Sequence, residues 1–532
     1  MKKTMMMMVA AASLCASGVE YVIEAPGGVG DVVALTNALN QCPTGGGADT
    51  MGFTVKLKPG IYNLQGITMD SDYHLVLRQA RNAFFAGLGD GPEDTVLIGG
   101  GTNDNAGVIK CGGGGNYWWY DISNITVTAG YSSANGGGIQ GKPTVRYWDC
   151  IISNNYAKGS NNVGGGGAVQ GQAERCLFAD NRTEQHGAGF WTNGKCGLME
   201  FPANAQGATE CVFSNNIATA RNGGGIYNGL NRRCIFINNG SKGQGGGVCY
   251  SAMPDTIGYG CFDCRIIDNR CDINNSEARG GGLYGGTASN CFFSGNSGGT
   301  FCRGGAASDA NLYDCVITNT ACVNYVLANC NMQRCYVTDC RVTVTHAVFI
   351  GRYNTVSLPA ADTYTNVNCV YERTYSNGGN IMGVNRFASD MVFVNCTISE
   401  HVNWANTKYS PLTSSCTAIN TLVVGCTPYD VITNDCAVMS NCLWKTQLGG
   451  DLPPEVAVNS RQDSRLHFWD ISPYPCDISA GSPARDAGLD NDLVRSFVGE
   501  TDLAGRPRFA LGGIDVGAQE CQKIPSCVII IQ

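Results

Sequence analysis

Charge is scarce in this chain. Asp, Glu, Lys and Arg make up 15% of its 532 residues, against about a quarter in an ordinary soluble domain. The basic share is the smaller one, 35 Lys and Arg against 43 Asp and Glu, for a net charge of −8. A nucleic-acid partner requires a basic face to neutralise phosphates, so none is expected. Histidine is rarer still: there are five, scattered, and no Cys/His spacing resembles a zinc site, so no metal ligands are assigned. No later apolar run approaches the roughly 18 residues of a spanning helix, which leaves the mature chain without a transmembrane span. An amphipathic helical period of useful length is missing between Phe53 and Trp444. Disorder is excluded for most of the length, because hydrophobic residues reach 43% and aromatic residues 9%.

What the chain has in excess is glycine and cysteine, 72 and 28 residues. The glycines lack the three-residue period of collagen. Residues 1–18 read as an export signal: Lys2 and Lys3 are the charged start, Met5 to Leu14 the apolar stretch, and Ala16, Ser17 and Gly18 the small residues of a cleavage site. The protein is therefore expected to be secreted or at the cell surface. Export permits disulfides, yet removing Cys15 leaves an odd number of cysteines, so at least one cannot pair within the chain.

The cysteines fall into a repeat. Cys150-Ile-Ile-Ser-Asn-Asn155 returns as Cys176-Leu-Phe-Ala-Asp-Asn181, Cys211-Val-Phe-Ser-Asn-Asn216, Cys234-Ile-Phe-Ile-Asn-Asn239, Cys264-Arg-Ile-Ile-Asp-Asn269 and Cys291-Phe-Phe-Ser-Gly-Asn296. Degenerate copies follow at Cys315, Cys335, Cys369 and Cys396. The spacings up to Cys335 are 26, 35, 23, 30, 27, 24 and 20 residues. A glycine phrase precedes many copies, as in Gly136-Gly-Gly-Ile139, Gly223-Gly-Gly-Ile226 and Gly280-Gly-Gly-Leu283. Short strands punctuated by Gly and Asn at variable spacing predict a coil-by-coil parallel β-solenoid. Each unit then reads as a Gly-rich turn, a short strand, another turn and a Cys-containing strand ending at Asn.

Stacking explains the residue types. Coils about 4.8 Å apart place equivalent residues above one another, and strand alternation sends Cys and the apolar residue two places later into the bore. There cysteine acts as a small hydrophobe. The terminal Asn is expected to take the left-handed turn conformation and to stack amide on amide, while the glycines supply positive φ at the opposite turn. In-register cysteines have parallel Cβ vectors that angle the sulfurs poorly for bonding. They are expected to be free, with off-register pairs such as Cys261/Cys271 or Cys521/Cys527 the better candidates for disulfides.

The glycine phrase combined with Phe178-x-x-Asn181, Phe213-x-x-Asn216, Phe236-x-x-Asn239 and Phe293-x-x-Asn296 resembles the repeats of chlamydial polymorphic outer-membrane proteins. That resemblance covers about residues 130–320 and implies a right-handed parallel β-helix. Near the start, the helix Asp31 to Asn40, with Asp31 as N-cap, followed by Phe53-Thr-Val-Lys-Leu-Lys-Pro-Gly-Ile-Tyr62, resembles the opening of pectin-lyase-like β-helix proteins, in which a short helix covers the bore. Near the end, Ser482-Pro-Ala-Arg-Asp-Ala-Gly488, Thr501-Asp-Leu-Ala-Gly-Arg-Pro-Arg508 and Gly513-Ile-Asp-Val-Gly-Ala-Gln-Glu520 resemble the module called choice-of-anchor Q. The expected organisation is a signal peptide at 1–18, an N-terminal strand and capping helix at 19–52, an all-β right-handed parallel β-helix at 53–446 and a surface-protein module at 447–532.

Chemistry is harder to place. The residue before each repeat cysteine is polar: Asp149, Arg175, Glu210, Arg233, Asp263, Asn290, Asp314, Arg334, Asn368 and Asn395. Stacked on the outside, they form either an ion-pair ladder or a groove for sugar hydroxyls and carboxylates. Asp180/Arg182 and Asp268/Arg270 are the candidate enzyme positions, since a lyase pairs acids that hold Ca²⁺ with a base; Ca²⁺ enters only under that reading, and no other cofactor is expected. A hydrolase needs two carboxylates about 5–9.5 Å apart. Asp263 and Asp268 on one extended strand would point to opposite faces, roughly 16 Å apart. Tyr117-Trp118-Trp119-Tyr120 offers a sugar-stacking platform or, alternatively, core packing. The expected function is a non-catalytic adhesin or glycan-contacting protein, with polysaccharide or a cell-surface glycan as partner. The alternatives are a polysaccharide lyase or glycoside hydrolase, and a structural envelope protein.

Overall fold

The computed structural model describes residues 19–521 except 43–51, 79–81, 113–118, 160–162, 194–205, 252–259, 272–277, 300–301, 303, 323–325, 329, 339, 343–348, 351–363, 373, 377–390, 401, 404–411, 413–415, 427–428, 433–437, 450, 455, 467–480, 499, 503–505, 509–512 and 520. Residues 1–18, with Cys15, and Cys527 lie outside the described residues. The chain divides into two compact units, Met1–Thr183 with Phe190–Gly207, and Glu184–Gly189 with Ala208–Gln532.

The first unit is a stack of parallel coils. One face is built by Val19–Ile23, Phe53–Leu57, Asn82–Gly87, Trp119–Ser123, Val145–Trp148 and Gln172–Glu174, each in parallel register with the next. A second runs Gly60–Asn63, Thr95–Ile98, Thr126–Thr128, Ile151–Ser153 and Leu177–Ala179. A third runs from Tyr73–Leu77 through Gly107–Cys111, Ile139–Gln140 and Ala168–Val169 to Phe190–Trp191. The remaining column is Tyr131–Ser132, Tyr156–Ala157 and Arg182–Thr183. The second unit has the same kind of parallel coil stack, which reaches Ala457–Val458 and Arg461–Gln462. This is a right-handed parallel β-helix, the hand that parallel crossovers take.

A coil holds more strands than the sequence repeat suggested, because a left-handed residue breaks the chain twice around each cysteine strand. Asp149, Arg175, Glu210, Arg233, Asp263, Asp314 and Arg334 all have φ between 49° and 57°. They are corners between two faces, not members of a strand. The terminal Asn of the motif does not take the left-handed conformation. The residue before it does: Asn154, Asp180, Asn215, Asn238 and Asp268 have φ between 52° and 56°.

The terminal Asn instead points inward and is fully used. Asn239 donates from Nδ2 to Phe213 O and to Asn269 Oδ1, both at 2.9 Å, and its backbone N–H donates to the same Oδ1 at 3.0 Å. Asn216, Asn269 and Asn296 continue this amide ladder in the second unit, as Asn155 and Asn181 do in the first. Buried amides are tolerated because each polar atom finds a partner one coil away.

The bore cysteines also hydrogen-bond, beyond acting as hydrophobes. Cys264 Sγ donates to Phe262 O at 3.3 Å, and Cys264 N–H donates to Cys291 Sγ at 3.4 Å. Where the column changes residue the role survives: Thr421 Oγ1 donates to Ile419 O, and Ser460 Oγ donates to Val458 O while accepting from Cys442 N. The position selects a small side chain that donates and accepts. Burial pushes the thiols of Cys111, Cys330 and Cys442 up to about 12. Of the expected off-register pairs, Cys261 and Cys271 are not joined, both being buried free thiols, and Cys521 has its proposed partner Cys527 outside the described residues.

Glycine is required where coils touch. Gly223, Gly245 and Gly280 have φ between 60° and 71°, while a Cβ on Gly224 or Gly281 would lie 2.3 Å from Gly246 O or 2.0 Å from Ser297 O. At the N-terminal end the helix spans Val32–Gln41, with Asp31 Oδ1 accepting from Ala34 N–H at 2.8 Å and Leu35 and Leu39 fully buried.

Toward the C-terminus the chain returns along the flank of the second unit. Val494, Val498 and Ile514 pack on Val367 and Val394, and Ala484, Val516 and Cys521 pack on Leu422, Val424 and Leu443. Polar anchors sit beside them. Asn420 Nδ2 donates to Leu489 O at 2.9 Å and Asn420 Oδ1 accepts from Leu489 N–H at 2.5 Å. Asn368 Nδ2 donates to Val498 O and its Oδ1 accepts from Arg508 Nη2.

Candidate functional site

The strongest surface cluster lies on the first face of the first unit. In Val145–Trp148, alternation buries Val145 and Tyr147 and turns Arg146 and Trp148 outward. Register places Asp121 beside Arg146, with Phe84 one coil below and Gln172 one coil above. Arg146 donates from Nε and Nη2 to the two Asp121 carboxylate oxygens at 2.6 and 2.8 Å. Its guanidinium lies 5.5 Å from the Trp119 ring centre and 5.8 Å from that of Trp148. Trp148 Nε1 donates to Asp121 Oδ1 at 3.4 Å. Arg175, at the next corner, stacks on Trp148 at 5.7 Å, holds both oxygens of Asp149 at 2.7 and 2.9 Å and pairs with Glu174. Hydrogen bonding to Asp149 drives the Arg175 guanidinium well above its ordinary pKa.

The result is a rigid alternation of indole and guanidinium planes. Arg146 and Arg175 each remain 37% exposed, so the strip faces solvent with its side-chain torsions already fixed. Indole rings held this way stack on apolar faces, while the carboxylates and the remaining N–H groups serve hydroxyls. Internal neutralisation removes the strong field that would attract a polyanion.

The sequence-predicted ladder is present as separate pairs. Beside Asp149 and Arg175 in the first unit, the second unit has Arg233 on Glu210 at 3.0 Å, Arg334 on Asp314 at 2.5 and 2.7 Å, and Asn290 Nδ2 donating to Asp263 at 2.6 Å. Asp180 occupies a left-handed corner, and Arg182 continues the outward column of Tyr131 and Tyr156, whose rings stack at 4.8 Å. Asp268 is a corner residue whose carboxylate covers Gly295, and Arg270 is in register with Gly240 and Ser297. Asp263 and Asp268 do not point to opposite faces of one strand. They are the two exposed corners flanking the three-residue strand Arg265–Ile267, because each leaves β geometry.

Of the aromatic cluster, Tyr120 is core, with its hydroxyl donating to Gly112 O, while Trp119 faces outward; Tyr117 and Trp118 lie outside the described residues. Sequence reasoning missed Asp121, Arg146 and Trp148. Their signal was available in the alternation of Val145-Arg-Tyr-Trp148 directly before Asp149-Cys150. Among the described residues no three His, Cys, Asp or Glu side chains converge as metal ligands.

No protein-family description matches the chain, and no curated protein matches it either. Among solved structures it is similar to the A-module of the mannuronan C-5 epimerase AlgE4 of Azotobacter vinelandii, at 14% identity over 81% of this chain and 92% of that one, with a TM-score of 0.29. The family 6 alginate lyase AlyGC aligns at 10% identity over 92% of this chain and 57% of its own, with a TM-score of 0.34. A mannuronic-acid-specific family 6 lyase from human gut microbiota aligns at 10% identity over 84% and 90%, with a TM-score of 0.27. Similarity at this level assigns no site residue; the strand register alone establishes the parallel β-helix.

Proposed function

We propose that this chain is an exported, glycan-contacting β-helix protein that binds without cleaving, and that the Trp119–Arg146–Trp148 strip is its contact surface. The observation that carries the reading is the fixing of Arg146 between two solvent-facing indoles by a two-pronged bond to Asp121. Such a strip meets a ligand with little loss of side-chain freedom. It suits a sugar chain, which offers both apolar ring faces and hydroxyls. The export-signal pattern and the repeat resemblance support a secreted or surface location.

Retention of residues 19–532 on immobilised neutral and acidic polysaccharides, with and without Ca²⁺, tests this. Retention that falls about tenfold or more in a Trp119→Ala/Trp148→Ala double variant, with no new reducing ends or unsaturated products, is the expected result; two stacking contacts of about 1 kcal/mol each give that factor. Product formation would replace the reading with a lyase or hydrolase. Neither retention nor products would leave a structural envelope role.

A further inference from the structure

Cysteines stacked in the bore leave their strands at equivalent positions, so their Cβ vectors are parallel and their sulfurs stay about a coil apart. Cys271 and Cys302 are arranged differently. Cys271 ends the strand Arg270–Cys271 and is in register with Gly298 on the next coil. Gly298 has no side chain, and Cys302 fills its place: a Cβ on Gly298 would lie 2.1 Å from Cys302 Sγ and 2.3 Å from Cys302 Cβ. Cys302 reaches that spot from the turn after the strand, where its N–H donates to Gly299 O at 3.0 Å. It therefore approaches Cys271 from another direction than a stacked residue would. The two side chains pack in one cluster with Ala278, both almost completely buried.

We propose that Cys271 and Cys302 form a disulfide when the protein matures in an oxidising compartment. The oxidant is an exported dithiol oxidoreductase in its disulfide form, or glutathione disulfide. One protein thiolate attacks an oxidant sulfur and expels the other as a thiol. The second protein thiolate then displaces the mixed-disulfide partner, so two S–H bonds are lost, one S–S bond forms and the oxidant leaves as two thiols. The bond staples one coil to the turn above it and removes freedom from the unfolded chain between the two residues.

Protein produced with export, alkylated under denaturing conditions without reductant and digested with trypsin and then chymotrypsin, tests this. Cleavage after Phe292, Phe293 and Phe301 separates Cys291 from Cys302. The expected result is a Cys271–Cys302 cross-linked peptide that disappears on reduction, with Cys234, Cys264, Cys291 and Cys315 alkylated. In Cys302→Ser, Cys271 should be alkylated and the melting temperature should fall by several degrees, to that of the reduced parent. Alkylation of both residues in the exported parent, or linkage of Cys271 to Cys249 or Cys261, would overturn the proposal.

Discussion

One backbone corner is used in two opposite ways along the second unit. At Glu210, Arg233, Asp314 and Arg334 the left-handed corner is open to water and carries a charge paired to the corner one coil away. At Asn368 and Asn420 the same left-handed corner is buried, and the residue is an amide that holds the returning C-terminal segment by both of its polar atoms. The backbone demand is the same, since all of these positions have φ near 50°. What changes is solvent. An exposed corner accommodates ions because water shares their solvation, whereas a covered corner needs a neutral group that both donates and accepts.

Asn420→Asp is the sharpest way to break the comparison, because Asp also tolerates the left-handed corner. The carboxylate would face Leu489 O without a donor, at a cost of about 3 kcal/mol. Thermal unfolding should show the loss, and limited proteolysis should release the segment after Gly488 early. Cys291→Val, one residue past a corner, should cost about 2 kcal/mol by removing the thiol donor, while Cys291→Ser should cost less than about 1, as Thr421 and Ser460 foreshadow. Denaturant midpoints of the two variants check the order.

A smaller effect comes from pH. Asp515 accepts from Asp486 and Cys521 N–H inside the covered region, and burial raises its pKa to about 6. The released segment would titrate near 3.8, so the docked form binds the extra proton between those values. Docking should therefore tighten as pH falls from about 6 toward 4 and weaken as it rises again. Protease resistance of the segment at pH 5 and 7.5 reads this, and Asp515→Asn should flatten the difference. The least effect is expected at an open corner: Arg334→Ala should shift stability by no more than about 1 kcal/mol, visible as a small, salt-sensitive change in melting temperature.

These outcomes also mark how far the residues could be read unaided. Strand alternation, stacked cysteines and glycine turns all follow from period and local sterics, so the phrase from Cys150 to Asn155 is enough to specify a coil. The corners did not. Asp149 and Arg334 look like strand residues because charged side chains give no warning of positive φ. Asn368 looks like an outer polar residue because nothing local announces that a distant segment will cover its corner. Asp121 and Arg146 meet only through the register of two coils, which the variable spacing of the repeat leaves undetermined.

The amide ladder has a further consequence for how such a molecule changes length. Asn216 offers Asn239 the same groups that Asn239 offers Asn269, 23 and 30 residues on. Excising residues 217–239 would let Asn216 meet Asn269 with the donor and acceptor that its old neighbour supplied, and the cysteine column would close in the same way. A whole coil is thus an interchangeable unit, whatever the size of its outer loops. Genetic duplication or loss of one coil adds or removes one step in the stack of the second unit without rewriting the rest.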